Sequence, residues 1–296
     1  LYFAVNRPMI FNGIGVMSGT SLDGLDFAWC HFEQREQSWE YRILKADTIP
    51  YPDGIRNQLA HAFELSALDY CKLDITLGQF IAEKLNAFIG TTDKPQFIAT
   101  HGHTIFHQPQ IGLTTQIGNG ATIAAQTGIT TICDFRSVDV ALQGQGAPLV
   151  PIGDELLFGQ YDACLNLGGF SNISYKQNGK RVAYDISPCN MALNYIANLK
   201  HFAYDKDGAM AQNGQTIGPM FEALNKLPFY HQEGPKSLGK EWFDSQFLPV
   251  ILKFTASHKI EDCQKTLVEH ITTQIATSLP TATKNLLVTG GGAHNK

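Results

Sequence analysis

The sequence predicts a duplicated α/β protein of two lobes, and three observations carry that prediction. Glycine-rich turns at residues 19–24, 168–169 and 290–292 each follow an apolar strand-like run. The lead-in of strand, glycine-containing polar turn and strand opens both halves, at residues 9–30 and again at 163–175. Helical periodicity fills stretches between the strands, which is the pattern of an α/β chain and not of separate all-β or all-α parts.

Residues 9–50 alternate apolar and polar positions in short bursts, predicting three antiparallel strands. Their first turn lies in the run Gly15-Val16-Met17-Ser18-Gly19-Thr20-Ser21-Leu22-Asp23-Gly24-Leu25-Asp26. Asp23-Gly24 suffices for a plain hairpin. The same run also lets main chain approach a ligand at Gly19 and Gly24 and offers hydroxyls to anionic oxygens. From 54 to 89, apolar residues at helical spacing predict two helices, the second ending near Gly90. Phe97-Ile98-Ala99-Thr100 reads as a short buried strand delivering His101-Gly102-His103-Thr104 at its C-terminal end, where open α/β sheets keep their ligands. A helix over 121–126 follows, then a strand over 129–133 that leads to Asp134, Arg136 and Asp139. Residues 143–148 are too rich in glycine and proline to continue any element, and a helix over 152–158 comes next.

The second half begins with a strand over 163–167, turns at Gly168-Gly169 and returns through 173–175. A strand over 182–185 ends in Asp185, and Ser187-Pro188 is expected to open a helix through Met191, Leu193 and Ile196. Residues 266–279 form an amphipathic helix with Leu267, Ile271, Ile275 and Leu279 on one stripe, feeding a strand over 285–289. The expected lobes are 1–130 and 131–296.

At 296 residues the chain suffices for two domains. The net charge of −5, with Lys and Arg scattered singly, gives no footprint for nucleic acid or acidic membrane and leaves a small molecule as the partner. Six widely spaced cysteines include no C-x-x-C, so neither a zinc site nor a redox motif is indicated. With no leader pattern and no apolar run near ~18 residues, a reducing cytoplasm is expected. There is no G-x-x-x-x-G-K-[ST] and no G-x-G-x-x-G after a strand, so P-loop and Rossmann readings lose their support. Three glycine turns in two similar halves instead suggest a nucleotide in the cleft, with one loop per lobe against its phosphates and the third beside its base.

Seven strings, in order through nearly the whole chain, carry a resemblance. They are 15–26, Thr100-His101-Gly102-His103-Thr104, Asp134-Phe135-Arg136, 144–149, Asn166-Leu167-Gly168-Gly169-Phe170-Ser171-Asn172-Ile173, Pro235-Lys236-Ser237-Leu238-Gly239-Lys240 and 289–295. Together the series resembles that of the anhydro-N-acetylmuramic acid kinase family. The resemblance implies the duplicated actin-like ATPase (ribonuclease H-like) fold, with two lobes closing over ATP and Mg²⁺ in an interlobe cleft. It implies hydrolytic opening of 1,6-anhydro-N-acetylmuramic acid and phosphorylation of O6, giving N-acetylmuramate 6-phosphate and ADP in peptidoglycan recycling and amino sugar catabolism. Such a reaction needs a base for water, a metal-bound γ-phosphate and a hydrogen-bonded sugar pocket.

By the same resemblance, Asp185 in Tyr184-Asp185-Ile186-Ser187-Pro188-Cys189-Asn190 is the candidate base, with a helix cap as the competing reading. Ser187 and Cys189 stand where the family has glycines. Gly19, Thr20, Ser21, Leu22, Asp23, Gly24, Leu25 and Asp26 form the first nucleotide loop; Gly168, Gly169 and Asn172 form the second, and Gly290, Gly291, Gly292 and Asn295 the third. Asp23 is the expected Mg²⁺ ligand, while Asp26 also suits pairing within the sheet. His101 and His103 are expected to hydrogen-bond the sugar, a reading preferred to zinc for the cluster with His107; His103 replaces the family's Gln. Arg136 suits the lactyl carboxylate, in competition with a salt bridge to Asp134 or Asp139. Asp139 and Gln145 complete the expected sugar site, and Lys236 and Ser237 receive no role. The family continues beyond the 290–295 string, so the second lobe is expected to lack that tail and with it part of the adenine wall. Competing functions are another sugar kinase of the superfamily, a non-catalytic nucleotide-binding relative, and a glycosidase using Asp134, Asp139 and Asp185, which leaves the phosphate loops unexplained. The oligomeric state is left open, a homodimer included.

Overall fold

Alternation at period two becomes long strands in the computed structural model, which describes residues 9–19, 22, 24–36, 38–91, 93–232 and 234–295. Strands β1 (Met9–Ser18), β2 (Leu25–Arg35) and β3 (Ser38–Ile49) pair antiparallel, with Val16 opposite Phe27 and Asp26 opposite Thr48. Helices α1 (Asp53–Ala60) and α2 (Ala67–Ile89) follow. Ser66 caps α2 by accepting the Asp69 amide, and Gly90 ends it with a positive φ of 75°.

Strand β4 (Phe97–Gln108) lies parallel to β1 and is much longer than the four residues expected. Its second half finds an antiparallel partner in β5 (Leu113–Ile117), which the sequence pattern did not reveal. Helix α3 (Gly120–Thr127), strand β6 (Thr130–Ile132) and helix α4 (Ser137–Ala141) complete the first unit. Ile14, Val16, Leu25, Phe27 and Ile98 from one sheet face bury against Leu77, Ile81 and Leu85 of α2 and Ile123 of α3.

The chain divides into two compact units, Leu1–Leu149 and Val150–Lys296. The division falls later than the expected break after Thr130 because β6 pairs in parallel with β4 and so belongs to the first sheet.

The second unit opens with α5 (Pro151–Leu157) and the strands β7 (Ala163–Leu167), β8 (Phe170–Gln177) and β9 (Lys180–Pro188). Ser187 and Pro188 remain in β9 instead of opening a helix. Helix α6 (Asn190–Asn198) starts after Cys189, with no side-chain cap. Helices α7 (Ala209–Gln212), α8 (Gly218–Asn225), α9 (Lys240–Trp242), α10 (Leu248–Thr255) and α11 (Ile260–Ser278) lead to β10 (Leu286–Thr289). The last helix begins six residues before the expected 266.

The two sheets share one topology. In the first, the order β3-β2-β1-β4 has three antiparallel strands and a fourth parallel to the first. In the second, β9-β8-β7-β10 repeats that order and those directions. The β1–β2 and β7–β8 turns are therefore equivalent, as are the segments that follow β4 and β10. Among the described residues no helix is long and apolar enough to cross a membrane.

Candidate active site

In the second unit the main chain brings two of the predicted glycine loops to one end of the sheet. The Gly168 carbonyl accepts the Asn190 amide at 3.1 Å, and the Gly169 carbonyl accepts the Cys189 and Met191 amides at 2.8 and 3.2 Å. The start of α6 is thereby fastened to the β7–β8 turn. Asn190 Nδ2 donates to the Leu167 carbonyl at 2.9 Å. The segment after β10 closes on the same place. A Cβ at Gly290 would lie 2.7 Å from Asn166 Oδ1 and from Leu167, and φ there is 84°, so glycine is required twice over. A Cβ at Gly292 would lie 2.7 Å from Leu167 Cβ. Asn295 follows the short turn Gly291–His294 and is exposed.

Asp185 lies in β9 and does not cap α6, whose N-cap is Cys189. Register with β8 shifts between Ser171 and Asn172, so Ser171 faces Ser187, Asn172 faces Asp185, and Ile186 is the extra residue. Such a bulge re-aims side chains and is common beside active sites. The carboxylate is buried; its Oδ2 accepts the Leu238 amide at 2.7 Å, and the Asp185 amide donates to the Lys236 carbonyl at 2.8 Å. Cross-strand pairing places Asn172 beside it on the same face. Burial pushes the Cys189 thiol up to about 12, so it stays protonated and unreactive.

In the first unit, Thr20, Ser21 and Asp23 lie outside the described residues. The rest of that turn is partly structural. The Leu22 amide donates to the Gly19 carbonyl at 3.2 Å, a Cβ at Gly24 would strike the Ile49 carbonyl, and Leu25 is fully buried in the core. Asp26 Oδ1 accepts the Thr48 hydroxyl at 2.6 Å, the pairing within the sheet that was its alternative reading. Just before the turn, the Ser18 hydroxyl bridges Tyr51, whose OH donates to it at 2.6 Å, and His103 Nδ1 at 2.7 Å. All three residues are buried, and burial lowers the His103 pKa to about 4.

Gly102, at φ 69° and a β-bulge, separates the two histidines that alternation would otherwise place on one face. His103 turns towards Ser18, whereas His101 lines a pocket of about 610 Å³ with Gly15, Met17, Asp26, Ala28 and Phe135. Arg136 Nε donates to His101 Nε2 at 3.0 Å, and its Nη1 donates to the Gly146 carbonyl at 2.6 Å. Since Nε2 accepts, Nδ1 carries the proton and donates to the Gly102 carbonyl at 2.8 Å. Burial, then the guanidinium charge, lower the His101 pKa to about 4. Asp139 supports the glycine loop, with Oδ2 accepting the Gly146 amide at 2.6 Å, while Gln145 is exposed on that loop. The structure thus joins His101, Arg136, Asp139 and the 144–146 loop in one network. Asp134 accepts the Ser137 hydroxyl at 2.5 Å.

Sequence reasoning missed Ser18 as the partner of His103 and Tyr51 as the donor to Ser18, and missed the grip of residues 236–238 on Asp185. The Pro235–Lys240 string was the only signal for the latter.

Two sheets of one topology, with equivalent turns between their first two strands, define a duplicated α/β protein of the actin-like ATPase class. The sequence profile described as anhydro-N-acetylmuramic acid kinase matches residues 12–296. The protein of that name from Pseudomonas syringae pv. tomato is 39% identical over 97% of this chain and 82% of its own. Its namesakes from Hydrogenovibrio crunogenus and Mannheimia succiniciproducens are 36% and 39% identical, over 96% and 95% of this chain and 80% of their own lengths. The chain belongs to the anhydro-N-acetylmuramic acid kinase family. Among solved structures, the activator of 2-hydroxyisocaproyl-CoA dehydratase from Clostridium difficile with bound ADPNP aligns over 98% of this chain and 82% of its own, at 12% identity and a TM-score of 0.39, too low to weigh in the assignment.

Proposed function

We propose that the protein uses ATP to open 1,6-anhydro-N-acetylmuramic acid hydrolytically and to phosphorylate its O6, giving N-acetylmuramate 6-phosphate and ADP. Family membership over the whole described core supports the reaction, and the observation that carries the mechanism is Asp185, buried at a β-bulge and gripped from two sides. Asp185 takes a proton from water as the water adds to C1, and the C1–O6 bond breaks. O6 receives the γ-phosphoryl group, so ring opening and transfer are coupled.

The Gly168-Gly169 turn and the 290–292 segment are suited to nucleotide binding because they lie together at one end of the sheet, where main-chain amides can meet anionic oxygens. In the first unit, Arg136 is suited to the lactyl carboxylate and His101 to a sugar hydroxyl. Among the described residues no group of three or more His, Cys, Asp or Glu is placed to hold a metal. The proposed Mg²⁺ would be held by nucleotide phosphates, water and one carboxylate, the role that the family resemblance gives to Asp23, which lies outside the described residues. When bound, such an ion would supply neutralising charge at the phosphates.

The test is ADP release on adding the anhydro sugar, with mass analysis of the product. Wild type is expected to give a product carrying both one water and one phosphoryl group, and Asp185→Asn is expected to bind ATP with only residual turnover. A phosphorylated but unopened sugar points to another sugar kinase of the superfamily.

A further inference from the structure

The string Pro235-Lys236-Ser237-Leu238-Gly239-Lys240 lies outside every strand and, up to Gly239, every helix, yet two of its main-chain groups touch Asp185. The Lys236 carbonyl accepts the Asp185 amide at 2.8 Å, and the Leu238 amide donates to Asp185 Oδ2 at 2.7 Å. One contact fixes the backbone of the residue and the other fixes the rotation of its carboxylate. An irregular strap holds such a grip only if it is itself held.

Lys236 supplies that hold. Its Nζ donates to the carbonyls of Phe229 at 2.9 Å and Gln232 at 3.2 Å, and lies 4.5 Å from the centroid of the Phe229 ring. These carbonyls sit at the end of the short turn Pro228–His231, where the Phe229 carbonyl also accepts the Gln232 amide at 3.3 Å, so that the lysine joins the hydrogen bond that closes the turn. The turn is a firm anchor. Phe229 is buried and packs on Trp242 with ring centroids 5.3 Å apart. Tyr230 OH meets the Ser187 hydroxyl at 3.2 Å and His270 Nε2 at 2.9 Å. His270 Nδ1 in turn meets Asn225 Oδ1 at 2.8 Å, which makes Nδ1 the donor and leaves Nε2 to accept from Tyr230. The same turn therefore braces β9 at Ser187, two residues beyond Asp185, and through Lys236 braces the strap on the other side.

We propose that Lys236 is a positioning residue that holds Asp185 in its working orientation through the main chain of the 236–238 strap. The proposal rests on Asp185 being the base. The lysine acts through the strap's main chain, whose Lys236 carbonyl meets the Asp185 amide and whose Leu238 amide meets the carboxylate.

The experiment measures kcat and both KM values for Lys236→Met, Lys236→Arg, Asp185→Asn and the double variant Asp185→Asn/Lys236→Met. Lys236→Met is expected to lose roughly 10- to 100-fold in kcat, as small misplacements of a reacting group do. Both KM values stay within about twofold, since binding is not what is lost. Lys236→Arg restores most of the loss, because a guanidinium also donates to carbonyls and stacks on a ring. The double variant turns over no more slowly than Asp185→Asn alone. Wild-type kcat in Lys236→Met, a loss confined to the KM for ATP, or a double variant slower by the full single-variant factor each overturns the proposal. If Lys236→Met does not fold, Lys236→Gln, which keeps a donor, is read by the same criteria with a smaller expected loss. Wild-type turnover in Asp185→Asn overturns the base assignment and the proposal with it. Loss in Asp185→Asn without loss in Lys236→Met overturns the proposal alone.

Discussion

Arg136 and His101 hold each other in one state: the guanidinium has only donors, so the imidazole must accept at Nε2 and remain neutral. Arg136 is thereby fixed between His101 and the Gly146 carbonyl. Arg136→Lys removes the planar fork and is expected to raise the KM for the anhydro sugar by roughly 10- to 100-fold, the value of a charge-assisted hydrogen bond. Steady-state kinetics at saturating ATP checks it, and an unchanged KM would remove Arg136 from sugar binding. His101 and His103 are lowered to about 4 and His270 to about 3, all chiefly by burial. Their folded pKa values lie below the unfolded value, so the unfolded chain binds more protons. This stability is complete above about pH 6.5 and is lost as pH falls towards 4, and for His270 towards 3, at up to about 1.4 kcal/mol per pH unit for each histidine. Potentiometric measurement near pH 5.5 should find an uptake approaching three protons on unfolding from these groups; uptake near zero would show that they are charged in the fold.

At the scale of elements, the junctions carry the chemistry and the strands carry the junctions. The bulge at Ile186 turns Asp185 without breaking β9, and Gly102 does the same for the histidines of β4. The turn after β10 is shaped by contact with Leu167 and Asn166. Gly290→Ala places a Cβ against both and at an unfavourable φ, which is expected to cost roughly 1–3 kcal/mol. A lowered denaturant midpoint together with a raised KM for ATP is the expected outcome. Loss of stability with ATP binding intact would detach this loop from the nucleotide.

On the scale of the whole molecule, each unit has its own core. The first centres on Ile14, Phe27, Leu77 and Ile98, and the second on two clusters, one among its helices around Phe247 and Leu267 and one under its sheet around Leu165 and Ile186. Separate cores are expected to give calorimetric unfolding that departs from two-state behaviour, with a van't Hoff enthalpy below the calorimetric one. Equal enthalpies in a single transition would show that the units unfold together.

Periodicity by itself determined most of the elements, because alternation in β1 to β3 and the stripe of α11 report which faces are buried. The ordered motif series determined the family, and the three glycine turns pointed to the loops. Only the tertiary structure decided which of those residues work together. Tyr51 reaches Ser18, which in turn meets His103, and Leu238 reaches Asp185 from a strap far along the chain. Such pairings depend on where strands and loops end in space, and nothing in the local pattern of either partner records the distance to the other.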